Sequence, residues 1–360
     1  MKIYVICPKS DTYYLLSTEY MLYWTKMSDE KRGSSVASIG DVAKLAGVSR
    51  STVSSVCNNK GYVSKETREK IERAMKELNY IPSELGRNLK KQRSGMIGII
   101  VPDVAHPFFA TFLKYAEKEL YQHHYKTMIC GTAGREDVEQ EYLNMLERRT
   151  MDGVIMGAHS LATEKYLQLS RPVLAFDRYL SESIPAIHCD KRMLGEEAAK
   201  LFLQRGRKNI VHLISSHTIR NFEEEAENSF RDALEKNGVK VTAVSVGYNT
   251  FTIEKYQEKA QAVFEQYPDT DGILGTDLAI LSCMKEAVRR KYRVPQDISM
   301  VAIDGTYAAY AGDKTITALV QPLEMMARQA VKLILDMVEE RGEIPKETIL
   351  PITVEQGETL

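Results

Sequence analysis

The sequence lacks most of the features by which a chain announces its chemistry. Its five cysteines (Cys7, Cys57, Cys130, Cys189, Cys283) stand apart, with no CxxC spacing and no neighbouring histidine cluster. That pattern argues against a disulfide framework and against a metal site, and it predicts a reducing, cytoplasmic setting. No run of about 18 apolar residues occurs, so neither a spanning helix nor a membrane partner is expected. The opening M-K-I-Y-V-I-C-P gives way to Lys9-Ser10-Asp11 too early for the apolar core of a signal peptide. G-x-G-x-x-G, G-x-x-x-x-G-K-[ST] and G-x-S-x-G are missing from strand–helix junctions, which removes familiar nucleotide-binding and hydrolase signatures. No catalytic residue and no cofactor is nominated, and an enzyme is not the expected reading. Net charge is nearly absent too, at −1 over 360 residues.

The charge that exists is unevenly placed. Residues 37 to 93 carry twelve Lys/Arg against six Asp/Glu, a local balance of +6, so the rest of the chain sums to −7. A basic end on an acidic body is the asymmetry of a chain in which one module meets nucleic acid; a solvated surface face gives the same count. With 44% hydrophobic and 27% charged residues, the composition is that of an ordinary globular protein. Its length predicts two to three domains at ~150 residues each.

Residues 1 to 36 hold the only tryptophan, Trp24, and five tyrosines within 24 residues before turning polar at S-D-E-K-R-G-S-S. Two readings stand: an aromatic extension that packs on or regulates the neighbouring domain, or an over-extended start with translation beginning at Val36.

From Ser38 the local signals sharpen. Ser38 with Asp41 three residues on fits a capping box and sets a helix at about 39 to 46. Val42, Leu45 and Ala46 give its apolar spacing, and Gly47 ends it. Ser49 caps a second helix whose buried stripe is Val53, Val56 and Cys57, leaving Arg50, Ser51, Ser54, Ser55 and Asn58 on the other faces. A third helix at roughly 65 to 79 starts at Ser64, buries Ile71, Ala74, Met75 and Leu78, and stops at Tyr80-Ile81-Pro82. Two compact helices around a Gly-containing turn, then a third, describe a helix-turn-helix unit over 38–81. Small polar and basic groups at the start of its second helix suit a major groove.

The series I-G-D-V-A-K-L-A-G-V-S-R-S-T-V-S-S-V-C-N-N, then T-R-E-K-I, then L-N-Y-I-P-S, closely resembles the headpiece of the lac repressor (LacI/GalR) family of bacterial transcription regulators. The resemblance implies that Arg50, Ser51 and Ser55 meet base edges. It implies that Ser49, Ser54, Asn58, Tyr62, Ser64 and Thr67 position the backbone, with Thr52 and Lys90 also on the DNA side. Arg50 either forks onto guanine O6/N7, worth about 1–3 kcal/mol of discrimination, or holds a phosphate. Ser55 departs from the family, which often carries a longer base-reading side chain there. Residues 82–94 match the hinge and linker, with Leu89 in the place of the minor-groove wedge. Isolated helices below ~12 residues rarely form in water, and Gly86 weakens this one by roughly a further 1 kcal/mol, so it should order only when two copies pair over DNA.

Beyond Arg93 short apolar runs alternate with helical stretches: M-I-G-I-I-V-P, Y-K-T-M-I-C, D-G-V-I-M-G and P-V-L-A-F-D, then A-I-H-C-D, N-I-V-H-L-I-S, K-V-T-A-V-S-V, D-G-I-L-G-T-D and I-S-M-V-A-I-D. Strand–helix alternation in two series implies two doubly wound α/β lobes. P-D-V-A-H-P-F-F-A, F-D-R, T-D-L-A, V-P-Q-D-I-S-M-V-A-I-D-G and I-T-A-L-V-Q-P look like the periplasmic-binding-protein-type sensor of the same family. The resemblance implies an effector-binding and dimerisation domain over 95–355. Its N-lobe would be 95–175 plus 318–351 and its C-lobe 178–317 plus the tail, with a ligand, expected to be a sugar or derivative, in the cleft between them. The fold class expected is thus an all-α headpiece joined to a two-lobed α/β sensor. Candidate effector contacts are Phe108, Phe109, Asp177, Arg220, Phe251, Asp277 and Asp304, since carboxylates and a guanidinium bind vicinal hydroxyls and aromatic faces cover a sugar ring. Each has a plainer role open to it, as core aromatic or helix cap. The family's usual R-x-x-G-F segment reads A-E-N-S-F here, with Ala226 and Ser229 in place of Arg and Gly. The run Glu223-Glu224-Glu225 reads as a solvated helix start. The partners expected are a palindromic double-stranded DNA operator, a small-molecule effector and a second copy of the chain.

Overall fold

The computed structural model describes residues 4–6, 13–15, 37–58, 61–81, 93–158, 160–215, 222–247 and 251–360. The chain divides into two units, Met1–Arg87 and Asn88–Leu360.

In the first unit β1 (Tyr4–Ile6) pairs antiparallel with β2 (Tyr13–Leu15). Three helices come next: α1 (Ile39–Ala46), α2 (Arg50–Cys57) and α3 (Lys65–Glu77). The start of α1 is the reciprocal cap that its sequence announces. Ser38 Oγ accepts from the Asp41 N–H at 3.3 Å, and Asp41 Oδ2 accepts from the Ser38 N–H at 2.8 Å. Gly47 closes α1 at φ 69°, a left-handed conformation that glycine adopts without a steric penalty. Ser49 and Ser64 cap α2 and α3 through the amides of Thr52 and Thr67. Val42, Ala43, Val53, Val56, Ile71 and Ala74 form the buried centre. Leu45, expected in that core, is 46% exposed. The stripe facing the other helices is Ile39, Val42, Ala43 and Ala46, so the apolar face begins one turn earlier and Leu45 falls outside it.

The second unit contains two six-stranded sheets. The first has the order β13-β7-β6-β5-β3-β4 and is parallel throughout: β3 (Met96–Val101), β4 (Lys126–Gly131), β5 (Gly153–Met156), β6 (Val173–Phe176), β7 (Ala186–Cys189) and β13 (Glu347–Leu350). Alternate residues of β3 serve opposite faces, as a period of two requires. Ile97, Ile99 and Val101 pack on α4 (Pro107–Gln122) and α11 (Leu323–Glu339), while Ile100 packs on α5 (Glu136–Glu147) and α6 (Thr163–Leu167). Phe112 of α4 stacks on Phe176 with centroids 3.6 Å apart, and both are fully buried. Burying side chains of this size contributes roughly 1.5–3 kcal/mol each.

The second sheet has the order β14-β12-β11-β10-β8-β9: β8 (Asn209–Ser215), β9 (Lys240–Gly247), β10 (Gly272–Thr276), β11 (Ser299–Asp304), β12 (Thr317–Val320) and β14 (Thr353–Glu355). All pairs are parallel except β12 with β14. One face carries α9 (Ile253–Gln266) and α10 (Asp277–Arg289), the other α7 (Lys191–Gln204) and α8 (Glu223–Glu235).

The lobe boundaries differ from those expected of the sequence. Ala186–Cys189, assigned to the C-lobe, lies in the N-lobe sheet, paired in parallel with β6 and β13. Residues 318–320 of β12, assigned to the N-lobe, lie in the C-lobe sheet between β11 and β14. The chain therefore crosses after Cys189, after Val320 and after Leu350. A four-residue apolar strand carries no mark of the sheet it joins.

Helices α7 and α8 approach closely at Gly195. A Cβ built there would overlap Ser229 Oγ and the Ala226 carbonyl oxygen and would lie 2.8 Å from the Phe230 nitrogen. Two of these atoms are backbone and cannot rotate away. Gly195→Ala should therefore destabilise the sensor by ~1–3 kcal/mol, read from denaturant unfolding of the full chain. A loss under about 0.5 kcal/mol would show that the helices separate freely.

Candidate functional site

The headpiece presents a compact polar face on α2. Ser49, Arg50 and Ser51 are exposed and Thr52, Ser54 and Ser55 half-buried. The hydroxyls are already engaged with one another: Ser49 Oγ lies 2.6 Å from Ser51 Oγ and 2.8 Å from Thr52 Oγ1. Asn58 donates its Nδ2 to the Ser54 carbonyl at 2.7 Å, closing the far end of the helix. Ser64 and Thr67 share a 2.8 Å hydroxyl contact at the start of α3, and Tyr62 just before it is 96% exposed. Arg50 supplies the only guanidinium of α2. Its Nη2 and Nε would lie 2.9 and 3.1 Å from a Cβ at Gly40, so the glycine leaves the room that the arginine occupies. A forked cation beside a row of hydroxyls has the donors and acceptors that phosphates and base edges require. Leu89 and Lys90 lie outside the described residues.

In the second unit the carboxyl ends of the parallel strands of both lobes converge on a cavity of about 130 Å3. Open α/β sheets bind ligands at such strand ends. Phe108 and Phe109 open α4, Asp177 comes directly after β6, Asp304 ends β11, and Phe251 stands two residues before α9; all five border the cavity. The aromatic rings form one cluster: Phe109 meets Phe108 edge-on at 5.2 Å and Phe251 at 5.7 Å, and His106 meets Phe251 at 5.0 Å.

Asp277 is set apart. It does not border the cavity, and its carboxylate accepts from the Gly305 N–H at 3.1 Å, the Thr306 N–H at 2.7 Å and Thr306 Oγ1 at 2.6 Å. It takes neither of the roles left open for it, effector contact or helix cap, and instead braces the loop after β11. Burial pushes its carboxyl up to about 6 against those three donors. Arg220 lies outside the described residues.

The cavity also contains groups that sequence reasoning passed over. Lys191 Nζ sits 2.7 Å from Asp177 Oδ1, with side chains only 4% and 12% exposed. Burial works against the lysine charge, but Asp177, Cys189 and Glu223 outweigh it and raise the ammonium above the ordinary lysine range. Arg178 donates its Nε–H to the Gly157 carbonyl at 3.3 Å and faces Glu223 at 3.9 Å. Glu223 is thus turned inward, whereas Glu224 and Glu225 are exposed as expected. Gln321 donates to Asp304 Oδ1 at 2.9 Å. Asp304 is raised well above a normal carboxyl by burial, then by the charges of Asp277 and Asp177. His106, Arg178 and Gln321 fall inside segments already singled out in the sequence. Lys191 had a subtler signal: a cation at the first position of a helix opposes the helix dipole and calls for a distant counter-charge.

Two family models cover the chain: "Bacterial regulatory proteins, lacI family" over residues 38–83 and "Periplasmic binding proteins and sugar binding domain of LacI family" over 94–356. The chain belongs to the LacI family. Among its curated relatives, a sucrose operon repressor of Streptococcus mutans serotype c is 32% identical over 326 residues, 90% of this chain and 100% of the relative. A ribose operon repressor of Halalkalibacterium halodurans is 32% identical over 330 residues, covering 90% and 98%. The lac repressor dimer bound to operator and the anti-inducer ONPF shares the fold at a TM-score of 0.78 and 20% identity, covering 90% of this chain and 99% of that one. Membership makes this LacI-family chain a DNA-binding transcriptional regulator with a helix-turn-helix headpiece and a periplasmic-binding-protein-like sensor. No helix among the described residues is long and apolar enough to cross a membrane, and no cluster of metal-ligating side chains occurs among them.

His106 carries a pH consequence. Burial holds its imidazole down at about 4, below the ordinary 6.5, with Asp103 opposing. A base depressed on folding contributes stability that is complete above about 6.5 and is lost as pH falls towards 4. Asp277 and Asp304, raised on folding, act with the opposite sign in the acid range, so the comparison must be between variants. Relative to wild type, His106→Asn should flatten the fall in stability between pH 6.5 and 4 by a few kcal/mol in urea titrations. Parallel profiles for the two proteins would contradict the burial account.

Proposed function

We propose that the chain is a cytoplasmic, sugar-responsive repressor that binds a palindromic operator as a homodimer and is released or engaged by a small metabolite in the inter-lobe cleft. The observation that carries this reading is the presence, in one LacI-family chain, of an exposed α2 face headed by Arg50 and a largely buried aromatic–polar cleft between two lobes. A scaffold protein would need neither. The names of the relatives support a sugar: two are the sucrose and ribose operon repressors above, and one structure of the same fold is a transcriptional regulator CelR–cellobiose complex, at a TM-score of 0.65 and 23% identity.

On the DNA side, Arg50, Ser51 and Ser55 read bases, while Ser49, Thr52, Ser54, Asn58, Tyr62, Ser64, Thr67 and Lys90 hold the backbone. The segment 82–94 joins the two units, and its Leu89 wedges the minor groove when two copies meet over the operator. On the effector side, Phe108, Phe109, Asp177, Phe251 and Asp304 contact the ligand, joined by His106, Lys191 and Gln321. Closure of the lobes alters the spacing between the two copies of residues 82–94, and the fit to DNA changes with it.

Selection of DNA fragments bound by the full chain, repeated with a panel of free sugars, tests the whole. Enrichment of a two-fold symmetric site whose capture changes with one sugar is the expected result; enrichment of no common sequence overturns it. Arg50→Ala should relax preference at a single base pair per half-site, worth about 1–3 kcal/mol, with the other positions unchanged. Uniform weakening across all sequences would assign Arg50 to a phosphate.

A further inference from the structure

The cleft is rich in charge, yet its cations are cancelled across the gap between the lobes. Asp177, directly after β6 of the N-lobe, meets Lys191, the first residue of α7 in the C-lobe, at 2.7 Å. Arg178, beside Asp177, faces Glu223 of α8 at 3.9 Å and gives its Nε–H to a backbone carbonyl. Each Lys or Arg described in the lining therefore has a carboxylate of the opposite lobe before it. The other polar groups described in the lining are acidic or neutral. Asp304 is held by Gln321, and Glu227 adds another half-buried carboxylate. Both ring nitrogens of His106 and the Oε1 of Gln321 have no protein hydrogen-bond partner, although each residue is only 5% exposed. Unpartnered buried polar atoms are costly, and these border the cavity that a ligand would fill.

We propose that this cleft selects an uncharged, polyhydroxylated ring and rejects the phosphorylated form of the same compound. The proposal rests on the reading of the cleft as the effector site. A hydroxyl is both donor and acceptor, which suits a neutral imidazole with one nitrogen of each kind and an amide oxygen awaiting a proton. Phe108, Phe109 and Phe251 offer apolar surface to the C–H face of such a ring. A phosphate dianion finds no unmatched Lys or Arg among the described residues of the lining. Among these described groups, it has to pull Lys191 from Asp177 and leave a buried carboxylate uncompensated. Like charges in a desolvated site discriminate strongly. Sugar and sugar phosphate differ by little else, so charge pairing makes the choice.

The test is calorimetric titration of the full chain with matched pairs: D-ribose and ribose 5-phosphate, D-fructose and fructose 6-phosphate, sucrose and sucrose 6-phosphate, with glucosamine as a cationic control. At least one neutral sugar should bind, with its phosphate ester weaker by more than about tenfold, equivalent to 1.4 kcal/mol. An ester that binds as tightly as its parent or tighter, or binding by glucosamine alone, overturns the selectivity while leaving the cleft as the effector site. Binding by no member of the panel overturns the sugar reading and this inference with it. Asp177→Asn unmatches Lys191 and should move the sugar-to-ester ratio towards the ester by about tenfold or more; an unchanged ratio removes the ion pair from the explanation. Should that variant fail to fold, the wild-type ratios still decide.

Discussion

The contact between Lys191 and Asp177 fixes the relation of the sensor's two lobes where they meet across the cavity. Each sheet is sandwiched between its own helices, and the buried apolar clusters follow the same division apart from Cys189, which ends β7 and packs with the C-lobe cluster. Across the divide, the ammonium of Lys191 and the carboxylate of Asp177 meet at 2.7 Å with both side chains largely withdrawn from water. Such a pair adds little net stability, because desolvation offsets most of the attraction. Its effect is on geometry: either group left alone in the interior is heavily penalised, so arrangements that separate them are disfavoured. Arg178 before Glu223, and Phe251 against Phe109 and His106, gather around the same seam. On the proposed reading, a ligand in the cavity would compete for these groups, and occupancy of a small cavity would then bear on the relation of the two lobes.

The parts of the fold that were legible in the sequence are those governed by neighbours a few residues away. Ser38 with Asp41, Gly47, Ser49 and Ser64 mark helix ends because a cap is a local hydrogen bond, and the structure contains each of them. The apolar strands of the sensor were equally plain, since parallel strands covered on both faces read as short continuous runs. Even here the limit of a local rule is visible. Leu45 fits the helical spacing of α1, but the face that is covered depends on where α2 and α3 lie, and it begins at Ile39.

The features that were not legible depend on partners far along the chain. The two crossing points were misplaced because nothing within four apolar residues records which sheet β7 or β12 joins, and one partner of each, β13 and β14, lies about 160 and 35 residues away. Asp277 and Asp304 look alike in sequence, each an aspartate beside the end of a parallel strand. The amides of Gly305 and Thr306 occupy one, while the other turns into the cavity. Lys191 looks like an ordinary surface lysine until its place at a helix N-terminus is weighed against the dipole, and only then does a missing counter-charge become the question. Glu223 was similarly disguised by the solvated acidic residues after it.

The departure from the family at R-x-x-G-F shows how packing and binding separate. The glycine usual at position 229 lets a helix approach its neighbour, and here Ser229 stands there instead. Close approach survives because the small residue is on the other helix: Gly195 of α7 leaves the space that Ser229 and the backbone of α8 fill. Ser229 then satisfies its hydroxyl on the Ala226 carbonyl at 3.0 Å and the Arg192 carbonyl at 3.2 Å. The arginine usual at position 226 has no such exchange. Ala226 borders the cavity with a methyl group, and the cations described around it, Arg178 and Lys191, come from after β6 and from the start of α7. A guanidinium reaching from α8 at this position would face the cavity, whereas these two face carboxylates. The helix interface keeps its close packing while the cleft differs in charge, and it is the second difference that bears on which molecules can enter.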